Sequence, residues 1–246
     1  MKNINIEVGL RTAYDINKEM KKAAESNDTI TLKNVLGQRF IGSGISKEIK
    51  IKIYGVPGND LGAYMDGPEI EVFSNVQDAI GNTMNKGSII VHGSCGDTAG
   101  YAMRGGEIFI KENVGYRVGI HMKEYLDMKP AIVIGGTAGD FLGEYMAGGV
   151  IILLGLNASK KQPLTGKFCG TGIHGGAIYV NGTIESHKLG KELKPVKMEQ
   201  KDISLIENYI KQYRKYFKYE DEIKTDKFSK YMAVDTNPYK KMYIKY

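Results

Sequence analysis

The chain has 246 residues, 42% of them hydrophobic and 25% charged, enough apolar material for one large domain or two small ones. No apolar run approaches membrane-spanning length, and no charged-then-apolar leader occupies Met1 to Leu10. With only two cysteines, these features lead us to expect a cytoplasmic protein that does not bind membranes. A net charge of +6 and a pI near 9.0 would suit an anionic partner, but the basic residues concentrate after Lys188, so nucleic-acid binding is not expected.

In chain order, Asp15–Glu25 (DINKEMKKAAE) opens on a good N-cap residue and carries an apolar stripe of Ile16, Met20, Ala23 and Ala24, which predicts a short helix. Thr29–Leu32 opens strand structure, and Ile41-Gly-Ser-Gly44 enters the first recognisable repeat. Residues 1–34 therefore read as a cap over the apolar end of a stack, since terminal repeats must be covered.

From Gly62 to Val180 the chain repeats one short pattern. Gly62-Ala-Tyr-Met65 returns as Gly81-Asn-Thr-Met84, Gly100-Tyr-Ala-Met103, Gly119-Ile-His-Met122 and Gly143-Glu-Tyr-Met146; Gly170-Thr-Gly-Ile173 replaces the methionine by isoleucine. The first three steps are 19 residues, and the later steps of 24 and 27 hold polar insertions near Lys123–Lys129 and Asn157–Lys167. Two apolar columns keep the same register: Ile51, Ile70, Ile89 and Ile108, and Ile53, Val72, Val91 and Ile110. They continue through Ile132 and Ile134, Ile151 and Leu153, and Ile178 and Val180. Apolar residues at i and i+2 describe a strand whose alternate side chains enter a core, and stacked copies build continuous ladders. Val76, Cys95 and Val114, with Ile80, Ala99 and Val118, mark a further short face. A coil of about 19 residues holding two or three short strands is a β-helix. The pairs Gly105-Gly106, Gly148-Gly149 and Gly175-Gly176 fall where it turns a corner.

Past Val180 the period stops. Gln200–Phe217 has helical spacing with a broad apolar stripe. The early strands point Lys50, Lys52, Glu69 and Glu71 outward, whereas the late ones point Val133, Ile152, Leu154 and Tyr179 outward. Such a patch must be covered, by the C-terminal helix, by a partner subunit or by a second copy. The expected organisation is a cap over 1–34, a β-helix over 35–190 and a C-terminal helix and tail over 191–246.

No candidate chemistry in the sequence assembles into an active site, so no catalytic, cofactor-binding or metal residue is assigned. Gly170-Thr-Gly172-Ile-His-Gly175 has the dinucleotide-binding spacing but leads into a strand, Ala177–Val180, where that motif needs a helix; it reads as a coil corner. Cys95 and Cys169 are too few for an iron–sulfur cluster, and Cys95 lies on an apolar ladder with only His92 near in sequence as an activating base. His92, His121, His174 and His187 lack metal-ligand spacing. Asp97, Asp140 and Glu144 sit near corners, where a carboxylate commonly accepts from free amides. Met65, Met84, Met103, Met122 and Met146 read as a soft core ladder. A β-helix lyase or glycan binder would need acids and bases clustered on adjacent coils; Arg104, Arg117 and Asp97 are the nearby set, in different registers. A six-residue period, as in acyltransferase β-helices, is not visible.

The stretch from about Gly42 to Val180 resembles the GXGXG domain at the C-terminus of the glutamate synthase large subunit. The likeness is carried by Gly139-Asp-Phe-Leu-Gly143-Glu-Tyr-Met-Ala-Gly-Gly149-Val and by Phe168-Cys-Gly-Thr-Gly-Ile-His-Gly-Gly176-Ala-Ile-Tyr-Val180. Gly81-Asn-Thr-Met and Gly100-Tyr-Ala-Met-Arg-Gly-Gly106 add to it, and Asn237-Pro-Tyr-Lys-Lys-Met-Tyr243 is similar to the ending of free-standing versions. The resemblance implies an all-β chain, a single-stranded right-handed parallel β-helix of about seven coils with a short N-terminal helical cap and a C-terminal amphipathic helix. It also implies a non-catalytic scaffold in an oxidoreductase complex of glutamate biosynthesis. Glutaminase-type and FMN-containing synthase subunits would be the partners, and FMN and the iron–sulfur clusters would belong to them. A non-catalytic subunit of the formylmethanofuran dehydrogenases is built from similar glycine repeats, and the likeness to it implies a similar scaffold role.

Overall fold

The computed structural model describes residues 2–159 and 162–236; the tail motif at 237–243 lies outside them. Nine parallel strands stack in chain order: β1 (Asn3–Glu7), β2 (Thr29–Leu36), β3 (Lys50–Val56), β4 (Asp66–Val72), β5 (Lys86–Val91), β6 (Glu107–Ile110), β7 (Ala131–Ile134), β8 (Ala147–Leu153) and β9 (Gly175–Asn181). The ladders pair in the register read from the repeat, Ile51 with Ile70, Ile70 with Ile89, Ile89 with Ile108 and onward to Ile178. These isoleucines are completely buried. Parallel neighbours ordinarily need a helical crossover; from β2 onward each crossover is instead a wall of turns that stacks on the next. Bridges join Val76 to Cys95, Cys95 to Val114 and Ala138 to Thr165.

The corner before each strand from β3 to β9 has an alternating left-handed backbone. Asp60, Gly62 and Tyr64 have positive φ, as do Ala79, Gly81 and Thr83, and Thr98, Gly100 and Ala102; the same trio recurs at Arg117, Gly119 and His121 and at Phe141, Gly143 and Tyr145. Each central glycine donates its amide to the preceding coil, Gly81 to Leu61 O and Gly100 to Ile80 O, both at 2.8 Å. It also faces the core. A Cβ at Gly100 would lie 2.5 Å from Ile132 Cδ1. The flanking positions face outward and accept large side chains despite their backbone. The glycine pairs have the complementary cause: a Cβ at Gly106 or Gly176 would lie 2.3 or 2.4 Å from the Cε of Met84 or Met146 in the coil before. The methionine column and the glycine pairs are two halves of one packing contact.

The seven repeat strands β3 to β9 bound about six turns where about seven coils were expected, and after β9 an antiparallel pair ends the parallel stacking. That pair, β11 (Phe228–Ala233) against β9 and β10 (Leu193–Val196) against β11, was not visible in the repeat. The N-terminal cap also differs from a purely helical one. β2 belongs to the stack, Ile30 and Leu32 pairing with Ile51 and Ile53, and β1 pairs parallel to β2. Its step of 21 residues and missing Gly-x-x-Met hid it. Between β1 and β2, α1 (Ala13–Ser26) starts at an N-cap Thr12 and buries Ile16, Met20, Ala23 and Ala24 against the core.

The late outward face is covered by α2 (Gln200–Phe217). Ile206, Tyr209, Ile210, Tyr213 and Phe217 pack on Phe109, Val133, Ile152, Leu154 and Tyr179. Tyr213 Oη donates to Lys111 O at 2.9 Å. At the helix start, buried Asp202 accepts from Lys230 Nζ at 2.8 Å, from Tyr179 Oη at 2.7 Å and from the Glu199 amide at 2.7 Å. Burial by itself would raise this carboxyl; the Lys230, Glu199 and Tyr179 donors outweigh it and hold it below the ordinary carboxylate range.

Three stability outcomes follow, each measurable by denaturant unfolding. Ile108→Ala should cost about 2–5 kcal/mol, whereas Glu69→Ala, in an exposed pair with Lys50, should stay within about 1 kcal/mol. Glu107 would be a poor outward control, because it lies under α2 with hydrogen bonds to Tyr209 and Gln212. Gly100→Ala should cost about 1–3 kcal/mol, and Ala102→Gly, in the same corner but facing outward, less than about 1 kcal/mol in either direction; equal losses would overturn the inward assignment. Asp202→Asn should cost about 3–5 kcal/mol at neutral pH by leaving Lys230 buried and unpaired. Because the folded carboxyl is depressed, its stabilisation is complete above the unfolded pKa of about 3.9 and is lost as pH falls through the folded value. The wild-type chain should therefore lose this advantage over the variant in acid.

Candidate functional site

The structure separates the residues that a chemical site would have to combine. His92 directly follows β5, on the side of the sheet that α2 covers. Its Nε2 lies 2.9 Å from Glu71 Oε1, its ring stacks on Phe73 at 4.9 Å, and Phe217 of α2 meets it edge-on at 5.3 Å. Cys95 belongs to the inner core, with Sγ 3.7 Å from Gln77 O. Burial, reinforced by the Asp78 and Asp97 charges, pushes its thiol far above the ordinary range. A protonated thiol with no imidazole partner is not a nucleophile. Cys169 is likewise buried, its thiol pushed up to about 12.

The corner carboxylates hold coils together. Asp97 Oδ1 accepts from Tyr116 N at 2.8 Å, and the Asp97 amide donates to Asp78 Oδ1 at 2.9 Å. Asp140 Oδ1 accepts from Lys167 N at 2.7 Å, and Asn75 and Asn113 do the same for Ser94 and Thr137. Each side chain thus satisfies an amide one coil onward that strand pairing leaves free. Glu144 is buried and binds Arg117 Nε at 2.9 Å. Asp97 bonds neither Arg104 nor Arg117. The GxGxxG segment is a corner, with the Gly170 amide on Leu142 O at 2.7 Å and β9 directly after it. His174 Nδ1 lies 3.2 Å from Gly172 O, and His187 is exposed on a short 3-10 turn. Among the described residues no group of three or more His, Cys, Asp or Glu is placed to hold a metal ion, and no helix is long and apolar enough to cross a membrane.

One surface feature was missed by reading glycines and methionines alone. The outward corner residues stack from coil to coil: Arg117 lies over Phe141 at 5.0 Å, and Phe141 stacks on Phe168 at 5.1 Å. Beside them His121 stacks on Tyr145 at 5.3 Å and meets Tyr101 edge-on at 6.0 Å. The same repeat arithmetic applied to the variable positions, 117 to 141 to 168, would have found them.

Comparison with known proteins agrees with these corners. A family model described as "GXGXG motif" matches residues 1–235. Uncharacterized protein MJ1350 of Methanocaldococcus jannaschii is 44% identical over 239 residues, covering 93% of this chain and 92% of that protein. A chain whose left-handed corner residues alternate about a core-facing glycine, and which this model matches nearly end to end, belongs to the GXGXG family, the family of the glutamate synthase C-terminal domain.

Proposed function

We propose that this chain is a scaffold subunit or domain of a glutamate synthase-like complex and performs no chemistry itself. The observation that supports the reading is the occupation of its reactive groups. The corner acids Asp97, Asp140 and Glu144 are bonded to amides or a guanidinium of a neighbouring coil, and both thiols are buried and protonated. In the assembled enzyme, glutaminase-type subunits would release ammonia from glutamine. FMN-containing synthase subunits would add it to 2-oxoglutarate with electrons delivered through iron–sulfur clusters. Two separated thiols fall short of the four thiolates, roughly, that such a cluster takes, so the clusters are assigned to the partners.

Affinity purification of the tagged chain from its own cells, with mass spectrometry of what accompanies it, tests the proposal. Glutaminase-type and FMN-containing synthase subunits should co-purify in fixed ratio. Recovery of molybdenum- or tungsten-type dehydrogenase subunits would move the chain to a formylmethanofuran dehydrogenase-like scaffold, and a lone chain would overturn the scaffold reading.

A further inference from the structure

We infer that the open edge of β1 pairs antiparallel with β1 of a second copy of this chain, joining two solenoids into one continuous sheet. The inference does not depend on the scaffold reading. Among the described residues β1 has β2 as its sole sheet neighbour and ends the sheet. Thr29 N donates to Lys2 O at 3.2 Å and Val8 N donates to Lys33 O at 3.0 Å, so the even-numbered residues turn their backbone groups to β2. Asn3, Asn5 and Glu7 turn theirs to the open side, and all three residues are exposed. The strand at the other end of the sheet, β10, carries Pro195; β1 has neither a proline nor a register shift to blunt its edge.

Any extended strand could satisfy those backbone groups; the side chains of β1 select a second copy. In a twofold antiparallel pair centred on Asn5, Asn5 meets Asn5 of the second copy and Asn3 meets its Glu7, and each pair exchanges two backbone hydrogen bonds. Every open amide and carbonyl of Asn3, Asn5 and Glu7 is then used. Between these pairs, on the inner face, Ile4 meets Ile6 of the second copy in the pairing that brings side chains closest. Ile6 is buried, whereas Ile4 is only partly buried where it packs on the end of the core, and the second copy completes its burial.

Charge agrees with this register. Glu7 is the one ionisable side chain of β1. It lies beside Lys33 of β2, and its Oε1 accepts from Asn34 Nδ2, which leaves Oε2 for the side-chain amide of Asn3 of the second copy. The outward row across the junction then reads Lys33, Glu7, Asn3 and Thr29, the last two from the second copy, and no like charges meet. A shift of two residues either way leaves Asn3 or Glu7 facing no residue of β1, and a shift of four in one direction sets Glu7 against Glu7. The strand is therefore complementary to itself in one register, on both faces and along the backbone.

Sedimentation analysis of the purified full chain across micromolar concentrations should find a dimer. Asn5→Pro removes an edge-facing donor and leaves the bonds to β2 in place, so it should weaken the dimer about tenfold or more, with thermal melting to confirm folding. Asn5→Cys tests the pairing without relying on that variant. Opposite residues of a hydrogen-bonded antiparallel pair have Cα atoms about 5.5 Å apart, within disulfide range, and the native Cys95 and Cys169 are buried. Mild oxidation should link Asn5→Cys copies to one another and leave Asn3→Cys copies unlinked, while Asn3→Cys and Glu7→Cys copies, mixed, should link to each other. A monomeric wild type, an unchanged dimer in folded Asn5→Pro, a dimer in which Asn5→Cys fails to link, or links in Asn3→Cys alone would overturn the inference. None of these outcomes bears on the scaffold reading, which is decided by the subunits that co-purify.

Discussion

The structure depends on the space in front of one hydrogen atom per coil. At Gly100 the backbone turns left-handed and passes so close to Ile132 of the next coil that no side chain fits between them, and its amide simultaneously joins Ile80 behind it. Corner, ladder and inter-coil hydrogen bond are thus one constraint. A larger central residue would push the next coil away and stretch the bond that sets the stacking distance. Because Gly62, Gly81, Gly119 and Gly143 meet the same condition, the isoleucine columns stay in register through insertions of five to eight residues. The inserted residues leave the wall as loops and return to the same corner.

The same geometry determines where variation is free. The residues flanking the central glycine are left-handed too, but their side chains leave the stack, so Asp60, Tyr64, Arg117, His121, Phe141 and Tyr145 all occur there. In this solenoid the inward positions are used for packing and the outward corner positions are left open to different side chains. Reactive residue types that fall inside, such as Cys95, become core atoms, and corner acids become hydrogen-bond acceptors between coils.

Termination is solved differently at the two ends. At the start, β1 and α1 form a crossover whose helix buries Ile16 and Met20 over the exposed end of the ladders. At the finish, β11 and β10 reverse direction, and Pro195 on the last strand withholds a backbone donor from the open edge. The buried contact among Asp202, Lys230 and Tyr179 joins α2, β11 and β9, so the helix that covers the late strands and the hairpin that ends the sheet hold one another.

The repeat, both apolar columns, the methionine ladder and the bounds of α2 were legible in the sequence, because side-chain direction in strands and helices has a fixed local period. The outward positions of the late strands also announced that something must cover them. The C-terminal helix was the near candidate, and the tertiary structure decided that α2 does so, since a partner or a second copy would also have satisfied the sequence pattern. Only it placed β2 in the stack, through a step of unequal length, and revealed β10 and β11, whose pairing joins residues as distant in the chain as Phe228 and Asn181. It also set His92 and Cys95, three residues apart in the chain, on opposite sides of the wall, and brought Arg117, Phe141 and Phe168 into one stack. Local period determines which way a side chain points; which neighbour it meets depends on how the coils are stacked and closed.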